Sequence, residues 1–73
     1  MYFKLIKHNG NYTTFEDPYD IYIYIIESIF NEDPRECSYQ AHKEASEAQG
    51  WCELACDGDE YDGGDFTIEC IEY

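Results

Sequence analysis

The residues in this chain best equipped for chemistry are carboxylates. Asp57, Asp59, Glu60, Asp62 and Asp65 crowd into the stretch 57–65, with Tyr61 among them. Such a run could hold calcium, supply an acid–base pair, or present a negative surface to a positive one. An EF-hand loop needs Gly at its sixth position and a bidentate Glu at its twelfth. Counted from Asp57, those positions hold Asp62 and Ile68, so the calcium pattern fails. Acid–base catalysis gets no specific support, because carboxylates are so abundant that any two could be called a dyad. No Gly-x-Ser-x-Gly elbow and no phosphate-binding loop is present, and His8 and His42 have no nucleophile beside them in sequence. The chain is therefore expected not to be an enzyme.

The four cysteines are the next candidates. Cys52 and Cys56 would share a helix face, but a structural zinc needs four ligands around one point. Cys37 would lie about 22 Å from Cys52 along a continuous helix rising 1.5 Å per residue. Neither histidine falls at a helpful spacing. Free thiols are the expectation, and no metal and no cofactor is assigned. A Cys52–Cys70 or Cys56–Cys70 bridge would suit the topology but not a reducing compartment. The N-terminal residues 1–7 lack the apolar run of a signal peptide. No stretch approaches the roughly 18 apolar residues of a membrane span. The expected location is a cytosol.

What remains is the charge itself. Seventeen Asp and Glu face four Lys and Arg, for a formal net charge of −13, and no Lys or Arg follows Lys43. Affinity for phosphates comes from Lys and Arg, so nucleic acid and anionic membranes are poor direct ligands. A basic protein surface is the natural partner. A face that serves only solubility usually mixes both signs, and this one does not. In size and charge the chain resembles the small acidic inhibitors made by bacteriophages: anti-CRISPR proteins, DNA-mimic anti-restriction proteins and the uracil-DNA glycosylase inhibitor. The resemblance covers the whole chain as a type and no aligned motif. It implies a stoichiometric, non-enzymatic block of a bacterial nucleic-acid-binding protein, and hence evasion of host defence by a phage-encoded chain in the host cell's cytosol. From the residues themselves, Asp57, Asp59, Glu60, Asp62 and Asp65 would carry the contact, with Tyr61 as aromatic anchor. Tyr24 is a second anchor candidate. The alternative is a structural or regulatory module in which the apolar helix Ile21 to Phe30 forms a homodimer and the charge maintains solubility.

These residues need a scaffold, and the chain has room for one domain, residues 1–73. Its 44% hydrophobic and 18% aromatic content is enough for a compact core. Residues 2–7 read as a strand. Asn9-Gly10 reads as a type I′ hairpin turn, with residues 11–15 returning. Asp17-Pro18 starts a helix over about 18–31, whose apolar face would be Tyr19, Ile23, Ile26 and Phe30. A second helix should run from near Pro34 or Ser38 to about Cys56. Its inner stripe would be Ala41, Ala45, Ala48, Cys52 and Ala55, extended by Trp51 and Leu54. Residues 57–65 read as a loop. Residues 66–71 read as a last strand with Phe66, Ile68 and Cys70 on one face. The expected fold is α+β, a small antiparallel sheet of about three strands in the order β-β-α-α-β, with two helices on one face.

Overall fold

A computed structural model describes residues 1–72. Strand β1 (Tyr2–Lys7) begins the fold, followed by β2 (Tyr12–Phe15) and helix α1 (Pro18–Tyr24). A π-helical stretch (Ile25–Ile29) continues α1. Helix α2 (Tyr39–Leu54), β3 (Glu60–Asp62) and β4 (Phe66–Ile71) complete it. The four strands form one antiparallel sheet in the order β2-β1-β4-β3. The α+β class and the helices packed against the sheet are as expected, but the sheet has four strands, in the order β-β-α-α-β-β.

Alternation along the strands divides the sheet into two faces. Phe3, Leu5, Phe66, Ile68 and Cys70 are buried against the helices, with Phe15 and Tyr61 packed at the margins. The helices contribute Ile21, Ile25, Ile26, Ala41, Ala45, Ala48 and Cys52 to the same core. The other face, carrying Tyr2, Lys4, Ile6, Tyr12, Thr14, Glu60, Asp62, Thr67, Glu69 and Ile71, is half-buried or exposed throughout. Its cross-strand rows follow from the register. Thr14 stands beside Lys4, Lys4 beside Glu69, and Glu69 beside Glu60.

The Asn9-Gly10 turn forms, but not as type I′. Gly10 has φ 93°, whereas Asn9 is not among the positive-φ residues. Lys7 N–H donates to Asn11 O at 2.7 Å and Gly10 N–H donates to Lys7 O at 2.9 Å. Gly10 and Asn11 thus oppose the single residue Lys7, which is a bulge with glycine in the left-handed position. The Asn9 side chain accepts from Asn11 N–H at 3.0 Å. That bond lets Asn9 stabilise the turn without leaving negative φ.

The first helix differs in extent and in face. Asp17 caps it, accepting from Tyr19 N–H at 2.9 Å. After Tyr24 the helix widens, and Phe30 N–H reaches Ile25 O at 3.1 Å, five residues back. Asn31 at φ 55° ends it, with Glu32 N–H closing on Ile26 O at 3.0 Å. Of the expected row, Ile26 is buried and Phe30 packs half-buried against the core, but Tyr19 stays 55% exposed, and the other buried residues are Ile21 and Ile25. Apolar residues occupy several faces of this segment. Branched aliphatics win the interior because a tyrosine there must also place its hydroxyl.

Helix α2 starts at the second of the two expected points. Ser38 Oγ accepts from Ala41 N–H at 3.2 Å, and Glu32 accepts from both Ser38 N–H and Ser38 Oγ. Asp33-Pro34 instead builds a turn, with Glu36 N–H on Asp33 O at 2.9 Å. The stripe of Ala41, Ala45, Ala48 and Cys52 is buried as expected, and Ala55 is half-buried. Leu54 is 86% exposed. It stands about 200° around the helix from Cys52, so it does not extend the stripe. Among the described residues, no helix is long and apolar enough to cross a membrane.

Candidate acidic docking site

The stretch expected to be a loop contains an edge strand. Glu60, Tyr61 and Asp62 pair with Glu69, Ile68 and Thr67 of β4. The alternation acid–aromatic–acid matches a half-buried strand, with Tyr61 inward and both carboxylates on the open face. Two glycines set the boundaries. Asp59 N–H donates to Cys56 O at 3.0 Å, closing a turn with Gly58 at φ 89°. Gly58 N–H donates to Cys70 O at 2.9 Å and Cys70 N–H to Asp59 O at 3.0 Å. This bulge has the same pattern as the one at Gly10. At the other end, Gly63 N–H donates to Phe66 O at 2.9 Å. A Cβ on Gly63 would collide with the ring of Phe66, so that ring can lie there only over a glycine.

The sequence-assigned residues divide into two groups. Asp57, Asp59 and Asp62 are tied into the turns. Asp57 Oδ1 accepts from Glu72 N–H at 2.9 Å, Asp59 Oδ2 from Cys56 N–H at 2.8 Å, and Asp62 Oδ1 from Gly64 N–H at 2.9 Å. Each has a second carboxylate oxygen outside these bonds. Among the described residues, no side-chain bond or ion pair engages the carboxylates of Glu60 and Asp65; Asp65 uses its backbone oxygen to accept from His8 N–H at 3.2 Å. Glu69 was not singled out by sequence, yet it stands directly opposite Glu60. Only the register of β3 against β4 reveals it, and the signal was the period-two pattern of residues 60–62.

Tyr61 packs at the margin of the core. Its ring centroid lies 5.5 Å from Trp51 and 6.2 Å from Phe66, stacked on the latter. Burial, then the carboxylates of Glu47 and Glu44 on α2, push its phenol above the ordinary value. Tyr24 meets Phe15 edge to face at 5.2 Å. Both rings are half-buried.

The cations do little to neutralise this field. Among the described residues the one ion pair is Arg35 Nε to Asp33 Oδ1 at 3.8 Å, and both side chains are exposed. Lys4 Nζ lies 4.4 Å from the ring centroid of Tyr12, and Lys7 Nζ 5.5 Å from that of Tyr24. The two strand lysines therefore rest on aromatic rings, on the β1–β2 side of the sheet. Asp57, Asp59, Glu60 and Glu69 border a concavity of about 300 Å³ at the β3 side. A larger concavity of about 590 Å³ lies between the helices, lined by Tyr19, Tyr22, Glu27, Arg35 and His42 among others. Tyr22 Oη and His42 Nδ1 are hydrogen bonded there at 2.9 Å. Its charges are mixed, so it lacks the one-sided field of the β3 edge.

All four cysteines are free thiols: Cys52 and Cys70 buried, Cys37 half-buried, Cys56 exposed. Burial, then the charges of Cys70 and Glu53, push the Cys52 thiol up to about 12. That is the opposite of an activated nucleophile. Among the described residues, no three of His, Cys, Asp and Glu converge as a metal site. Ile21, Ile25 and Ile26, the heart of the helix that would have formed a homodimer, lie in the chain's own core. Comparison of the chain with family models, curated proteins and solved structures gives no match.

Proposed function

We propose that this chain is a non-enzymatic acidic binding protein. It lays the β3–β4 side of its sheet on the basic surface of a nucleic-acid-binding protein, such as a CRISPR or restriction effector, and so keeps nucleic acid out. The observation that carries this reading is Glu60 directly opposite Glu69 on the open face, with Asp62 next along β3; Lys4 stands across from Glu69 on the other side, but among the described residues no ion pair engages any of the three carboxylates. Like charges directly opposite each other weaken a sheet. Folding alone would not favour them, whereas a row of cations on a partner would. The spacing also fits. A non-hydrogen-bonded antiparallel pair has Cα atoms about 4.5 Å apart, and same-face neighbours along a strand are about 7 Å apart. Nucleic acid presents a phosphate about every 3.4 Å of axis per strand, so both surfaces offer several negative charges within a nanometre.

Capture from bacterial lysate on the immobilised chain tests the reading. The expected result is a nucleic-acid-binding protein that is released by salt and displaced by duplex DNA. A captured protein that stays bound in DNA and in high salt would count against it.

A further inference from the structure

The open edge of β2 is a second surface, and its chemistry differs from that of β3. Lys7 directs both its N–H and its carbonyl toward β2. By strand alternation Leu5 and Phe3 do the same, so Thr13 and Phe15 bond to β1. The backbone groups of Tyr12 and Thr14 then point outward. Both residues are exposed, Tyr12 at 61%. The strand is short and the Gly10–Asn11 bulge lies just before it, but Tyr-Thr-Thr-Phe itself holds no charge and no proline, and an edge without these guards is a template for another strand. We infer that β2 is where two copies of this chain pair, antiparallel and edge to edge, extending the sheet to eight strands.

The charge layout selects the occupant. Lys4 and Lys7 flank β2 on β1, so this edge is poorly suited to recruit a basic segment. Two copies at −13 each repel, and pairing is least costly where the carboxylates are most distant. In a β2–β2 dimer the two β3 edges stand seven strand spacings apart, about 34 Å at 4.8 Å each. That is several times the Debye length of about 8 Å at physiological salt. With Thr13 on the two-fold axis, Tyr12 meets Thr14 of the second copy and makes main-chain bonds in both directions. The same register sets Glu16 opposite Gly10 of the second copy, away from its carboxylates. So short a strand buries less than the roughly 1,200 Å² of a standard interface, so the dimer is weak. It also strengthens with salt, because salt screens the repulsion. That sign is opposite to the one expected for capture of a basic partner, and the pairing stands whether or not that partner exists.

Solution mass and amide exchange of the full chain, followed from about 0.02 mM to about 1 mM protein at low and high salt, test the pairing. The mass should move toward that of a dimer as protein and salt rise. The Tyr12 and Thr14 amides should slow by about tenfold or more, with Thr13 and Phe15 unchanged. Thr14→Pro removes an outward N–H without cutting the β1 ladder and should leave a folded monomer. Thr14→Glu, which places its carboxylate beside Lys4 in the fold and adds like charge across the two-fold, should do the same at low salt. A monomer throughout, or a dimer retained in both variants, overturns the inference. So does a dimer that weakens with salt, or protection of Tyr12 and Thr14 that appears only when oligolysine is added.

Discussion

The two edges of the sheet are built to opposite rules. On β3 the residues whose backbone groups face outward are Glu60 and Asp62; on β2 they are Tyr12 and Thr14. The β3 strand is three residues long, is bounded by Gly58 and Gly63, and meets Glu69 across the ladder. The β2 strand is uncharged, and the lysines beside it rest on aromatic rings. Charged side chains and short length are ways of blunting a sheet edge. The carboxylates of β3 thus blunt this edge against other strands, and in the proposed function they would also meet the partner's cations. The difference teaches that the residues that guard one edge are also the ones that would dock a basic partner under the proposed function, while the sheet leaves the opposite edge open.

The largest effect should come from the turn that sets the β3 edge. Gly63→Ala forces a methyl into the ring of Phe66. The expected loss is about 3 kcal/mol, an overpacking penalty, read as a lower urea midpoint at unchanged m. Gly10 has no neighbour within 4 Å of its missing Cβ but sits at φ 93°. Gly10→Ala should therefore cost less, about 1 kcal/mol from backbone strain alone. Equal losses would break the contrast between the two hairpins.

Next comes alkali. Cys52 of α2 lies beneath the sheet, Cys70 belongs to β4 and Tyr61 to β3, and burial pushes all three upward. Each is favoured in its neutral form by folding. The stability they contribute is full below the unfolded thiol value of 9.0 and is lost as pH rises toward about 12 for Cys52. Thermal midpoints should fall over that window. Cys52→Ala should lower the midpoint at neutral pH, through lost packing, yet shallow the alkaline decline. A decline as steep as that of the parent chain would locate the titration elsewhere.

How much of this was legible in sequence depends on the residues. β1, β4 and the small-residue stripe of α2 were readable because their apolar periods are unambiguous over their length. Residues 60–62 were not. The strand is only three residues long, and the surrounding Asp and Gly carry the composition of a loop. Its pairing energy comes from β4, which local sequence does not display. The face of α1 was legible only in part: Ile26 and Phe30 face the core as expected, but Tyr19 and Ile23 form as good an apolar row in sequence as Ile21 and Ile25, which take the interior. The π-helical step that buries Ile25 and Ile26 together has no local signature. The carboxylates are visible in sequence as a cluster, but their division between turn-building Asp57, Asp59 and Asp62 and the unengaged Glu60 needed the hydrogen bonds of the structure. Glu69 needed the register.

The smallest stability effect is the relief of like charge. Glu60→Thr should raise stability by about 0.5 kcal/mol at low ionic strength, and the gain should shrink as salt screens the pair. Thermal midpoints at two salt concentrations measure it. Stabilisation that ignores salt would mean that strand propensity, not charge, accounts for the gain.

The measurement that tests the central claim most directly compares charge removal at two places. Capture of the lysate partner is measured with the parent chain, with Glu60→Gln/Glu69→Gln, and with Asp17→Asn/Asp20→Asn, where Asn retains the helix cap. The two doubles remove the same formal charge, so a general field effect lowers both alike. The account predicts about tenfold weaker capture for the β3–β4 double, equivalent to about 1.4 kcal/mol, and little change for the helix double. Equal weakening in both would contradict it and leave the acidic edge as a guard of the sheet alone.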